Sequence, residues 1–257
     1  MPLLSTPDGR LEYLVSGAGD PVTVFAHGLA GSIPDTRPLG SGVAGTRVFF
    51  HFGGHGRSTG TGWSYDALAA DLRYVADAVG ARRALGVSMG AGALAALLAE
   101  SPDRFERAVF FLPGVLDRAR SGPALRHFSA LADAAEAGDR GRLAALLGAE
   151  LPAAVRERPA ARDFVDVRAG MLLRSALGPA LRSLPTQLPV PDRALLAAVG
   201  VPVLVVAQAA DDLHPVEVAR ELAGALPDAT LKIFSSGAAL WLARRELREV
   251  LAGFLNG

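Results

Sequence analysis

A serine held between two glycines, where an apolar run passes into an alanine- and leucine-rich run, constrains this chain more than any other feature: Gly86-Val87-Ser88-Met89-Gly90. The run before it, Ala84 to Val87, reads as a buried strand, and Gly90 to Glu100 has the composition and spacing of a helix. A strand that becomes a helix within one residue forces that residue into a strained backbone conformation. Glycines on either side remove the side chains that would collide at so tight a crossing. Ser88 is therefore expected to stand at a helix N-terminus, its hydroxyl facing the positive end of the dipole. The backbone N–H of Met89 is then available to a developing oxyanion. In a chain with 29 glycines one such match is weak evidence, so the surrounding pattern has to decide.

That pattern is regular. Short β-branched or aromatic runs recur at Val22 to Ala26, Thr46 to Phe50, Ala108 to Leu112, Val203 to Val206 and Thr230 to Phe234, each bounded by turn residues. Helical segments such as Tyr65 to Val79 lie between them. The alternation predicts an α/β fold with a mostly parallel central sheet and helices on both faces. Leu11 to Val15, followed by a turn at Gly17 to Asp20, reads as the second arm of an antiparallel hairpin at the sheet edge. The alternation stops between residues 117 and 192. There Ala130 to Leu147 and Phe164 to Leu177 read as helices, and Pro185, Pro189 and Pro191 close the stretch. The expected organisation is a core of residues 1–116 and 193–257, with residues 117–192 inserted after the sixth strand as a helical cap. Leu240 to Leu255 reads as the final helix.

Composition narrows the partner. The chain has 257 residues, enough for one sizeable core, and its 26 basic residues balance 26 acidic ones. No field remains to hold nucleic acid or an anionic membrane, so the expected partner is a small molecule, neutral and partly apolar. The absence of cysteine excludes disulfides, thiolate metal sites and a cysteine nucleophile. With no metal-ligand cluster or phosphate-binding glycine loop, no cofactor is implied. No basic stretch followed by an apolar run opens the chain, and no window approaches about eighteen uninterrupted apolar residues, so a soluble cytoplasmic protein is expected.

Two companion motifs raise the weight of the elbow. His27-Gly28-Leu29-Ala30 follows one strand candidate, where the Leu29 N–H can supply a second oxyanion donor, and Gly54-His55-Gly56-Arg57-Ser58 follows the next. Through these motifs, the elbow, and Asp211 to Pro215 in order, the sequence resembles the α/β-hydrolase superfamily over nearly its whole length. The resemblance implies Ser88 as nucleophile and Leu29 and Met89 as oxyanion donors. It places the acid at Asp211, four residues ahead of Pro215, or else at Asp212; two adjacent aspartates can also simply cap the next helix. It implies that His27 and His55 brace their loops. His27, Gly28, His127 and Trp241 are also candidate substrate contacts, with Phe128, Phe164, Met171, Leu172 and Leu173 roofing the pocket.

The resemblance also implies a histidine after the eighth strand, and here the chain departs from it. That loop reads Ser235-Ser236-Gly237-Ala238-Ala239-Leu240-Trp241, and none of the five histidines lies beyond residue 214. Ala238 or Ala239 occupies the vacancy. Three explanations stand side by side: an engineered removal, a displaced base at His214, or a scaffold that no longer hydrolyses. The expected function is cleavage of an ester, lactone or thioester. The alternative is a non-hydrolytic biosynthetic enzyme (cyclase, lyase or decarboxylase) or a ligand-binding protein.

Overall fold

The computed structural model describes residues 1–257 except Thr61, Ser121, Ser236 and Ala238. Its strands are β1 (Leu3–Thr6), β2 (Gly9–Ser16), β3 (Val22–Ala26), β4 (Thr46–Phe50), β5 (Arg83–Val87), β6 (Arg107–Phe111), β7 (Val203–Gln208) and β8 (Ala229–Phe234). They form one sheet in the order β1-β2-β4-β3-β5-β6-β7-β8. The β1–β2 and β2–β4 pairs are antiparallel, and every later pair is parallel. The hairpin expected at the edge is present, with β1 outermost.

Strand alternation divides the core into two layers, since successive side chains point to opposite faces. Val24, Val48, Phe50, Ala84, Phe110 and Val205 face one layer. It is filled by α2 (Tyr65–Ala78), α3 (Met89–Glu100) and α9 (Val216–Ala225), through Leu68, Leu72, Leu94, Leu98 and Leu222. Their strand neighbours Phe25, Phe49, Leu85, Val109, Phe111, Leu204 and Val206 face the other layer. Short α1 (Ile33–Thr36), α10 (Ala239–Leu242) and α11 (Arg244–Asn256) cover it, α11 through Leu247, Leu251 and Leu255, a stripe repeating every four residues.

Between β6 and β7 the described residues form α4 (Gly122–Glu136), α5 (Arg140–Glu150), α6 (Ala153–Arg156), α7 (Pro159–Arg174) and α8 (Gly178–Ser183), with no strand among them. The single helix expected over Ala130 to Leu147 is two helices. Gly138 takes φ +67° and ends α4, and the Asp139 carboxylate restarts the chain by accepting the Arg142 N–H at 2.9 Å. The helix expected over Phe164 to Leu177 begins earlier, at Pro159, where the missing N–H costs nothing. The final helix is likewise split, at Ala243, into α10 and α11. Among the described residues no helix is long and apolar enough to cross a membrane.

The β5–α3 crossing sets the site. A Cβ on Gly86 would lie 2.3 Å from the Gly90 carbonyl oxygen, and one on Gly90 would lie 2.5 Å from that of Ala26. Both obstacles are backbone, which cannot swing aside. We expect Gly90→Ala to destabilise the fold by about 1–3 kcal/mol, the range for overpacking a filled interior. The check is a urea midpoint lowered at constant m-value; an unchanged midpoint would mean that β3 and α3 have slack to part.

Candidate active site

Ser88 joins β5 to α3 with φ +50° and ψ −105°, left-handed backbone that a residue with a side chain adopts only when its surroundings impose it. Its N–H donates to the Phe111 carbonyl at 3.0 Å, and its carbonyl accepts the Gly92 N–H at 3.0 Å, so strand and helix each hold one side of it. Met89 is the first residue of α3, where N–H groups have no partner one turn back. Opposite, the loop after β3 passes so close that a Cβ on Gly28 would lie 3.5 Å from the Ser88 Cβ. Leu29 follows directly. Leu29 and Met89 thus lie on the two backbone segments next to Ser88.

His214 comes from the loop after β7. Its Nε2 lies 2.9 Å from Ser88 Oγ, and its Nδ1 lies 2.9 Å from Asp211 Oδ2. An ionised carboxylate only accepts, so Nδ1 carries the hydrogen. The Nε2 lone pair then faces the serine, whose hydroxyl donates to it. Asp211 organises this loop with both oxygens. Oδ1 accepts the N–H groups of Leu213 and His214, each at 3.1 Å, and Oδ2 also accepts the Gln208 side-chain amide at 2.7 Å. Burial alone would raise the Asp211 pKa; the imidazole, the Gln208 amide and the His214 N–H outweigh it and hold the carboxyl at about 2. Asp212 makes none of these contacts.

Two residues that the sequence reading did not single out complete the arrangement. Gln208, at the end of β7, donates to Asp211 and accepts the Ala239 N–H on its Oε1 at 3.1 Å. Ala239 is fully buried, and this hydrogen bond ties the loop lacking a histidine to the acid; Ala238 lies outside the described residues. Arg120 reaches in from the segment before α4. Its Nη1 donates to the Leu213 carbonyl at 2.5 Å while its guanidinium lies 5.4 Å from the Phe128 ring centre. Arg120 acts across 93 residues, and Gln208 joins the nearby acid to Ala239, 31 residues on.

A cavity of about 800 Å³ opens on Ser88, His214 and Asp211, and its wall includes Gly28, Leu29, Phe128, Phe164, Leu213 and Trp241. Trp241 meets Phe164 edge to face at 5.8 Å. Met171, Leu172 and Leu173, expected in the roof, are absent from this wall and pack against the core. Two expected substrate contacts need correcting. The His27 ring is fully buried behind its loop, its Nδ1–H donating to the Gly28 carbonyl at 2.7 Å and its Nε2 accepting the Phe52 N–H at 3.2 Å. It braces the loop, the other role the sequence allowed. His127 also lies outside the wall, because its Nε2 engages the carboxylate of Glu150, 2.8 Å away. His55 donates to the Gly53 carbonyl at 3.1 Å, and His51 bridges Glu12 and the Ile33 N–H.

A family model described as alpha/beta hydrolase fold matches residues 21–240. A hydrolase from Pseudomonas aeruginosa PA01 superposes with a TM-score of 0.81 at 24% identity, over 100% of this chain and 98% of that one. The enol-lactonase from Burkholderia xenovorans LB400 gives 0.82 at 19% identity, over 100% of both chains. An esterase from Exiguobacterium antarcticum gives 0.76 at 18%, over 99% of both. No curated protein sequence matches the chain.

The buried imidazoles behind the site make its stability depend on pH. Burial is the main cause that lowers all three: His27 well below its ordinary value, His51 below it, and His55 to about 4. Unfolded histidines bind protons near pH ~6.5, so between pH ~4 and ~6.5 the unfolded chain holds more protons and stability rises with pH. Asp71 works in the opposite direction: burial pushes its carboxyl up to about 6, so the native state holds that proton longer. We expect urea midpoints to rise between pH about 4.5 and 7, and to rise more steeply in Asp71→Asn, which lacks the opposing group. A shallower rise in that variant would contradict this assignment.

Proposed function

Because the chain belongs to the alpha/beta hydrolase fold family, we propose that it cleaves an ester, lactone or thioester of a small molecule, with Ser88 as nucleophile and His214 as base. The observation that carries this reading is the continuous chain of hydrogen bonds from Ser88 Oγ through the His214 ring to Asp211, each at 2.9 Å. It supports the displaced base over the other two explanations for the missing histidine: the imidazole comes from three residues beyond the acid. An esterase and an enol-lactonase of the same architecture fit the reaction class.

The chemistry follows from the geometry. As Ser88 Oγ attacks the acyl carbon, His214 Nε2 takes its proton, and the resulting imidazolium is stabilised by the Asp211 carboxylate. The substrate oxygen gathers negative charge between the N–H groups of Leu29 and Met89, donors already fixed in place by the loop after β3 and the start of α3. Collapse of the tetrahedral intermediate returns the proton from His214 to the departing alkoxide or thiolate. Water then repeats the sequence on the acyl-serine, and His214 again carries the proton. Gln208 and Arg120 do not touch substrate in this scheme; they hold the carboxylate and the backbone of the loop that carries the base. Residues 117–192 act as a cap whose Phe128 and Phe164 cover the acyl group.

We expect a fluorophosphonate probe to label Ser88, and kcat/KM on p-nitrophenyl acyl esters to fall by at least about 10³-fold in both Ser88→Ala and His214→Ala. Gln208→Leu removes one donor to Asp211, and a loss of about 10-fold in kcat with little change in KM is expected of a residue that acts through the acid. An unlabelled serine together with no ester turnover would overturn the hydrolytic reading in favour of a binding protein or a different chemistry.

A further inference from the structure

Arg168 lies on the inner side of α7 and contributes to the wall of the Ser88 cavity. Its Nη2 donates to the Leu29 carbonyl at 3.1 Å, which places the guanidinium one peptide from the proposed oxyanion donor. Its Nε is buried and has no hydrogen-bond partner. Among the described residues, no carboxylate comes within ion-pair distance of it. Other arginines of the same insertion do pair: Arg140 with Asp166, Arg162 with Glu157 and Arg182 with Asp133 and Glu136. The carboxylates around the cavity are already engaged. Asp211 holds His214, Glu150 is bound by His127, and Asp35 accepts the Ser32 hydroxyl at 2.8 Å.

A half-buried guanidinium on a cavity wall, without a counter-charge, is a ready partner for an anionic ligand. Its planar fork suits a carboxylate, which it can bind through two parallel N–H groups. Leu29, Phe128 and Phe164 give the same wall apolar surface, and the Phe164 ring lies 5.7 Å from the Arg168 guanidinium carbon.

We propose that Arg168 is a specificity-determining residue selecting substrates whose acyl portion carries a carboxylate a few atoms from the scissile carbonyl, such as half-esters of short dicarboxylic acids or carboxylated lactones. This rests on the hydrolytic reading above, and it replaces the neutral substrate expected from overall charge balance. A net charge of zero averages over the surface, whereas this cation is a local one inside the cavity. The substrate carboxylate docks against the guanidinium from the cavity side. That contact seats the carbonyl beside Leu29, so recognition and oxyanion placement share one side chain.

The test compares mono-p-nitrophenyl succinate and glutarate with p-nitrophenyl pentanoate and hexanoate. For the wild-type chain, kcat/KM is expected to favour the anionic esters by about 10- to 100-fold. In Arg168→Met this ratio should collapse to near one, mainly through KM, and in Arg168→Lys it should be partly kept. Absence of any preference in the wild-type chain, or an equal loss on both ester classes in Arg168→Met, would overturn the proposal and leave Arg168 a support for the Leu29 loop. Calorimetric titration with glutarate separates this from a failure of the hydrolytic reading. If no ester is turned over but glutarate binds the wild-type chain and not Arg168→Met, the anion site stands alone; equal or absent binding overturns it as well.

Discussion

Four donors converge on the two oxygens of the Asp211 carboxylate: two backbone N–H groups, one side-chain amide and one imidazole. That charge orients the His214 ring and gathers the turn from β7 into α9, with Arg120 on the Leu213 carbonyl as a second tie. Hydrogen bonds to an ionised acceptor are short and strong in a partly desolvated setting, which is why one acidic side chain can set the shape of a segment this long. The same carboxylate fixes the ring tautomer. The lone pair that faces Ser88 is a consequence of where Nδ1 must donate.

Much of this was legible in the sequence. The strand runs from Val22 to Phe234 were visible because buried parallel strands need continuous apolar residues. The elbow was visible because the steric demands of the crossing admit glycine at positions 86 and 90 and little else, as the 2.3 Å and 2.5 Å approaches of a Cβ there make plain. The resemblance placed the acid at Asp211 or else Asp212, and it is Asp211 that meets His214. His214 was named, but spacing alone could not distinguish a base from a residue that merely starts α9: whether its ring meets Ser88 depends on where β5 and β7 end relative to one another, two strands apart in the sheet.

What the sequence hid follows a common cause. Gln208, Arg120 and Arg168 each make a contact across 31, 93 and 139 residues respectively, which no local pattern announces. His27 and His127 were drawn toward the substrate by residue type, since an imidazole invites a chemical role. The His27 ring is fully enclosed with both nitrogens engaged by backbone and has no capacity left for a ligand, while His127 turns its Nε2 to Glu150 and lies outside the cavity wall. The split of Ala130 to Leu147 had a different origin, an alanine-rich composition that masks a glycine helix stop behind uniformly high helix propensity.

The short span of the Asp211–His214 pair has a consequence for engineering. An acid and its imidazole that close on each other within four residues travel as one cassette between the end of a strand and the start of a helix. The loop after β8 is then relieved of carrying any ionisable partner, and contributes only a backbone N–H to Gln208. Grafting such a segment onto another open parallel sheet calls for matching two strand ends rather than three separate loops, which makes the arrangement portable in a way that a dispersed set of side chains is not.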